Sequence, residues 1–133
     1  MDTKKLEEAK KKLTPKQYNV CALKGTEPPF SGKYTDNFTS GMYHCVACNT
    51  PLFYSGSKFH SDSGWPSFDR PVDVKNIKYE DDFSLGEHRR EVLCNTCGAH
   101  LGHVFDDGPT KTGRRYCINS LALELNLKNE SLL

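Results

Sequence analysis

The chain has 133 residues, with 18 basic against 17 acidic side chains and a formal net charge of +1, so it carries no electrostatic footprint for nucleic acid. Its length suits one domain with a real core, and no run approaches the roughly 20 apolar residues that would cross a bilayer. The start MDTKKLEEAKKKL has charges where an export signal has its apolar stretch, which predicts a cytoplasmic or nuclear address.

Residues 2–13 set Leu6, Ala9 and Leu13 at helical spacing among lysines and glutamates, which predicts a short amphipathic helix. A second helix follows at once. Thr14 can cap it, Pro15 suits its first position and Gln17 completes a capping box, with an end near Cys21. From Gly25 to Gly41, Pro28, Pro29, Gly32, Asp36 and Asn37 predict a surface loop. Strands are expected near 42–46, 51–54, 74–79, 88–93, 101–105 and 115–123, and a polar tail after Glu124. No helix-length segment separates them, so the fold is mainly β with antiparallel sheets.

Six cysteines in a chain without an export signal point to metal or redox use. Cys45-Val46-Ala47-Cys48 and Cys94-Asn95-Thr96-Cys97 are two C-x-x-C knuckles, the donor set of a closed tetrahedral zinc site with a structural role. Redox pairs or disulfides are the alternative for them. Cys21 and Cys117 then remain.

Cys117 lies in RRYCINS, where alternation places Arg115, Cys117 and Asn119 on one face. A thiol between a cation and an amide suits a nucleophile, although a buried structural cysteine fits the same strand. Holding its pKa near about 6.5 would make roughly three quarters of it thiolate at pH 7. His100 and His103 follow the second knuckle, with Gly98 and Gly102 letting the backbone bend so that both rings converge; additional metal ligation is the other reading. His103 is the first choice as proton donor, since imidazole titrates nearest neutral pH. Trp65, in the Gly, Ser and Pro rich loop 60–68, reads either as core or as a substrate platform. A zinc-stapled binding module and a zinc hydrolase using His100 and His103 stay open on residue chemistry alone.

The strings GTEPPFSGKY, MYHCVACNTPLF, SGWPSF, CGAHLGHVFDDGP and RRYCINS, in this order, resemble the methionine sulfoxide reductase B family over roughly Leu13 to Leu125. The resemblance implies a domain spanning 14–125 between an N-terminal helical extension, 1–13, and a tail, 126–133. It implies two antiparallel sheets in a barrel-like arrangement, one structural zinc on Cys45, Cys48, Cys94 and Cys97, and a monomer. It also implies reduction of methionine R-sulfoxide, free or in proteins, with a thioredoxin-like reductant and neither nucleic acid nor membrane as partner. By position it makes Cys117 the nucleophile, puts His100, His103 and Asn119 around the sulfoxide oxygen and Trp65 against the substrate methyl, and adds Arg115 to the site. Many members carry a resolving cysteine before the Gly-Trp pair, where this chain has Ser63. Some members that lack it use a cysteine nearer the N-terminus, which here implies Cys21.

Overall fold

The computed structural model describes residues 3–127. Helix α1 spans Thr3–Lys12 and α2 spans Pro15–Cys21. The capping box forms as the sequence predicts: Gln17 N–H donates to Thr14 Oγ1 at 3.2 Å and Thr14 N–H donates to Gln17 Oε1 at 3.0 Å. Ala9, Leu13, Val20 and Cys21 are the residues by which this helical pair enters the core. No described helix is long and apolar enough to cross a membrane.

Nine strands follow among the described residues: β1 Gly41–Cys45, β2 Pro51–Tyr54, β3 Lys58–Phe59, β4 Ser67–Phe68, β5 Ile77–Asp82, β6 Arg89–Cys94, β7 His100–Phe105, β8 Arg115–Ile118 and β9 Leu123–Leu127. They form a three-stranded sheet, β2-β1-β9, and a six-stranded sheet, β3-β4-β8-β7-β6-β5, antiparallel throughout. The expected two-sheet architecture is present, but the sheets stay separate and do not close into a barrel. Between them lies an aromatic core in which Phe53 stacks on Phe68 with ring centroids 4.5 Å apart and Tyr43 meets Phe68 edge-on at 5.2 Å. Each fully buried ring contributes about 1.5 to 3 kcal/mol by leaving water.

Three sequence expectations need correction. The single strand expected over 115–123 is two strands, because Asn119 N–H turns to Leu101 O and a short 3-10 turn at Ser120–Ala122 carries the chain from the large sheet to the small one. The strand expected at 74–79 starts later: Asp73 accepts from Lys75 N–H and caps a 3-10 turn at Val74–Asn76. The polar tail expected after Glu124 is strand as far as Leu127, paired with β1; residues 128–133 lie outside the described chain. The two-residue strands β3 and β4 were too short to show a period, yet β4 is the strand that flanks Cys117.

Candidate functional site

The two knuckles are built alike. In each, the first cysteine accepts through its carbonyl from the fourth residue on, Asn49 N–H or Gly98 N–H, both at 2.8 Å. That fourth residue has positive φ, 66° at Asn49 and 81° at Gly98, which turns the chain back so both thiols face inward. Cys45 Sγ lies 3.7 Å from Cys97 Sγ and Cys48 Sγ 3.6 Å from Cys94 Sγ, and all four sulfurs fall within 4.8 Å of one another. Zinc bound at about 2.3 Å in a tetrahedron separates its sulfurs by about 3.8 Å, so the donor set fits one zinc ion. Since Cys45 ends β1 and Cys94 ends β6, the ion would staple the small sheet to the large one. Lys12 Nζ donates to Ala47 O at 3.1 Å and Lys5 Nζ to Thr96 O at 2.8 Å, which lays α1 across both knuckles.

The histidines take no part in that cluster. In the β6–β7 pairing Val92 faces Gly102 but Leu93 faces His100, so Leu101 is an extra residue. This bulge reconciles the odd spacing, and the rings of His100 and His103 meet edge-on with centroids 5.5 Å apart. Each imidazole is held by a carboxylate: His103 Nε2 lies 2.7 Å from Asp82 Oδ2 and His100 Nδ1 lies 2.6 Å from Glu91 Oε2. Arg89 Nη2 donates to the same Asp82 oxygen at 3.2 Å. His100 is buried outside the cavity described next, and burial holds its pKa below the ordinary imidazole value.

Cys117 sits on β8 with His103 as its direct cross-strand partner on β7 and Ser67 as its partner on β4. It opens into a cavity of about 260 Å³, whose walls include Ser63, Trp65, Arg89, His103, Arg115 and Asn119. Arg115 forks onto Asp107, Nε to Oδ1 at 2.9 Å and Nη2 to Oδ2 at 3.1 Å, and stacks over Phe105 at 4.5 Å. Asp107 therefore fixes the guanidinium beside Cys117. The thiol itself differs from expectation. Burial pushes its pKa up from the ordinary value, while Arg115 and the Ser63 hydroxyl pull it back only in part.

Glu27 is the hinge pin of the cavity wall, and sequence reading passed it over. Its N–H donates to Asn119 Oδ1 at 3.0 Å, its carbonyl accepts from Trp65 Nε1 at 3.0 Å, and its Oε1 accepts from Leu121 N–H at 2.9 Å. Asn119 Nδ2 donates to Leu101 O at 3.0 Å, so the amide fastens three segments and keeps one Nδ2 hydrogen uncommitted. Trp65 is thus neither core nor free: its nitrogen is anchored and its ring lines the cavity. Cys21 is elsewhere. It is 2% exposed, packed in the apolar core beneath α2, with burial foremost in raising its thiol to about 12. Asp82, Glu91 and Arg89 were also missed; the only sequence sign was a carboxylate and a guanidinium at matching ends of the 83–88 turn.

Fold and site define a zinc-knuckle β domain that presents one cysteine at the base of a polar and aromatic cavity. The chain belongs to the SelR domain family, whose model matches residues 13–127. It is 56% identical over 124 residues to the peptide methionine sulfoxide reductase MsrB of Burkholderia mallei, covering 92% of this chain and 87% of that protein. It is 57% identical over 122 residues to the enzyme of the same name from Pseudomonas savastanoi pv. phaseolicola, covering 92% and 93%. Among solved structures the Mis18 'Yippee-like' domain superposes with a TM-score of 0.55 at 16% identity, covering 69% of this chain and all of that one, a likeness of fold alone.

Proposed function

We propose that the chain reduces methionine R-sulfoxide to methionine, with Cys117 as nucleophile and His103 as proton donor. The observation that carries this is the cross-strand pairing of His103 with Cys117 inside the cavity. A sulfoxide sulfur is attacked readily only when its oxygen is being protonated, so thiol and acid must meet one substrate atom pair from adjacent positions. Asp82 occupies His103 Nε2, leaving Nδ1 for the oxygen. The free Nδ2 hydrogen of Asn119 is a further donor, and the Trp65 ring takes the S-methyl group, where sulfur and aromatic contacts contribute about 0.3 to 1.5 kcal/mol. Which epimer turns its oxygen to His103 while its methyl meets Trp65 is then fixed by handedness. His100 acts from behind by packing edge-on against His103.

The oxygen-transfer step balances with the thiol and the sulfoxide alone. The Cys117 thiol loses its proton as Sγ bonds to the sulfoxide sulfur, the oxygen is protonated, and oxygen transfer leaves methionine and a Cys117 sulfenic acid. Arg115 favours the anion as it forms. One external thiol condenses with the sulfenic acid, releasing water, and a second restores Cys117 with a disulfide as product. A thioredoxin-like dithiol supplies both. Cys21 can take the first of these roles only if α2 lifts from the core, because a disulfide needs Cα atoms within about 7 Å and Cys21 does not line the cavity. Zinc, when bound, contributes folding energy and no chemistry at this cavity. The chain acts as a monomer in this scheme, since every group named comes from one copy.

The test is an assay of both epimers with wild type and Cys117→Ser, using dithiothreitol and then thioredoxin. Turnover of the R epimer by wild type alone supports the reading. Turnover by Cys117→Ser, or of the S epimer only, overturns it.

A further inference from the structure

A cavity larger than the one over Cys117 lies beside it. A groove of about 770 Å³ runs between α2 and the 26–33 segment, against about 260 Å³ at Cys117. Thr26 lines both, so the groove and the cavity adjoin at that residue. Glu27, 3% exposed, stands as the partition: its backbone holds Trp65 and Asn119 on the site side, and it lines the groove on the other. The floor is Leu121 and Leu123, and the opposing walls carry Lys16 from α2 and Lys33 from the loop. Both lysines are exposed, and Lys33 rests 4.9 Å over the Tyr34 ring without an acidic partner among the described ion pairs. The sole acid of the lining, Glu27, has its carboxylate turned to Leu121 N–H.

We propose that this groove receives the polypeptide on one side of the oxidised methionine and favours a chain carrying Asp or Glu there. The inference rests on the reductase reading and names its substrate class. A cavity of about 260 Å³ holds the sulfoxide side chain, so the flanking residues must leave by its mouth. At Thr26 that mouth borders a walled path. An extended chain advances about 3.3 Å per residue, so an acid a few positions along comes between Lys16 and Lys33. Charge complementarity then selects among sequences.

The experiment compares free methionine R-sulfoxide with pentapeptides carrying two Asp or two Lys residues on the N-terminal or the C-terminal side of the sulfoxide. Wild type should show a KM about three- to tenfold lower for Asp than for Lys peptides on one side only, a difference lost near 1 M salt. In a Lys16→Glu, Lys33→Glu double variant the preference should vanish or invert, with kcat and the KM for the free amino acid unchanged. Binding of the same peptides with unoxidised methionine, followed by Trp65 fluorescence, reads the groove independently of turnover. A wild type that binds Asp and Lys peptides equally, or a variant that loses the free amino acid as much as the peptides, overturns the proposal. A wild type that discriminates in binding but reduces nothing would overturn the reductase reading and leave the groove standing.

Discussion

Asp82 and His103 meet at 2.7 Å, carboxylate oxygen to Nε2, across the edge of the large sheet, and Arg89 clamps the same carboxylate from the other arm of the β5–β6 hairpin. The imidazole therefore has one nitrogen tied and a fixed ring plane. Asp82→Asn should lower kcat about 10- to 100-fold with KM little changed, because general acid catalysis is typically worth about 10² to 10⁴-fold and only its aim is lost. Asp82→Glu should restore part of it. Steady-state kinetics with a common reductant checks both, and an unchanged melting temperature separates aim from folding.

The Cys117 thiol, raised by burial, should resist alkylation at neutral pH. Its rate with iodoacetamide should go on climbing beyond the pH at which an ordinary thiol levels off. Arg115 lowers that pKa, so Arg115→Met should move the rise to still higher pH and slow alkylation at any fixed pH below it. Mass spectrometry of the Cys117 peptide against pH measures this.

Removing the metal should unfold the domain. Zinc sites of this donor set contribute apparent binding energies of about 10 to 16 kcal/mol, as large as the roughly 5 to 15 kcal/mol of a whole domain. Chelation at neutral pH should release one zinc per chain with loss of the far-ultraviolet strand signal, and Cys94→Ser should show that signal lost from the outset.

Gly102 lets two strands approach where Cys117 sits. A Cβ there would lie 2.0 Å from the Cys117 carbonyl oxygen, a backbone atom that cannot swing aside. Gly102→Ala should cost about 1 to 3 kcal/mol of stability and depress turnover further than stability explains, since the strand carrying Cys117 must shift. Thermal melts and kcat on the same preparation test it.

What could be read in advance follows the range of the interactions involved. The capping box at Thr14 and Gln17 is local, and the knuckles at Cys45 and Cys94 have fixed spacing, so both were legible. Alternation correctly put Arg115 and Cys117 on one face with Tyr116 and Ile118 in the core. The carboxylates behind the imidazoles were not legible, because Asp82 reaches His103 across 21 residues through a strand register that periodicity does not set. Glu27 was hidden for the same reason, bonding Asn119 across 92 residues from inside a loop. The thiol's raised pKa was missed because neighbours on a strand show charge while burial depends on β4 and the Trp65 loop. Leu101, the bulge residue, looked like any other apolar strand position.

The adjacency of His103 and Cys117 in the β7–β8 pairing also has an engineering consequence. Backbone pitch, common to every antiparallel ladder, sets how far the imidazole stands from the sulfur. Rim loops can accordingly be lengthened, exchanged between relatives or redesigned for new targets while His103 and Cys117 keep their spacing.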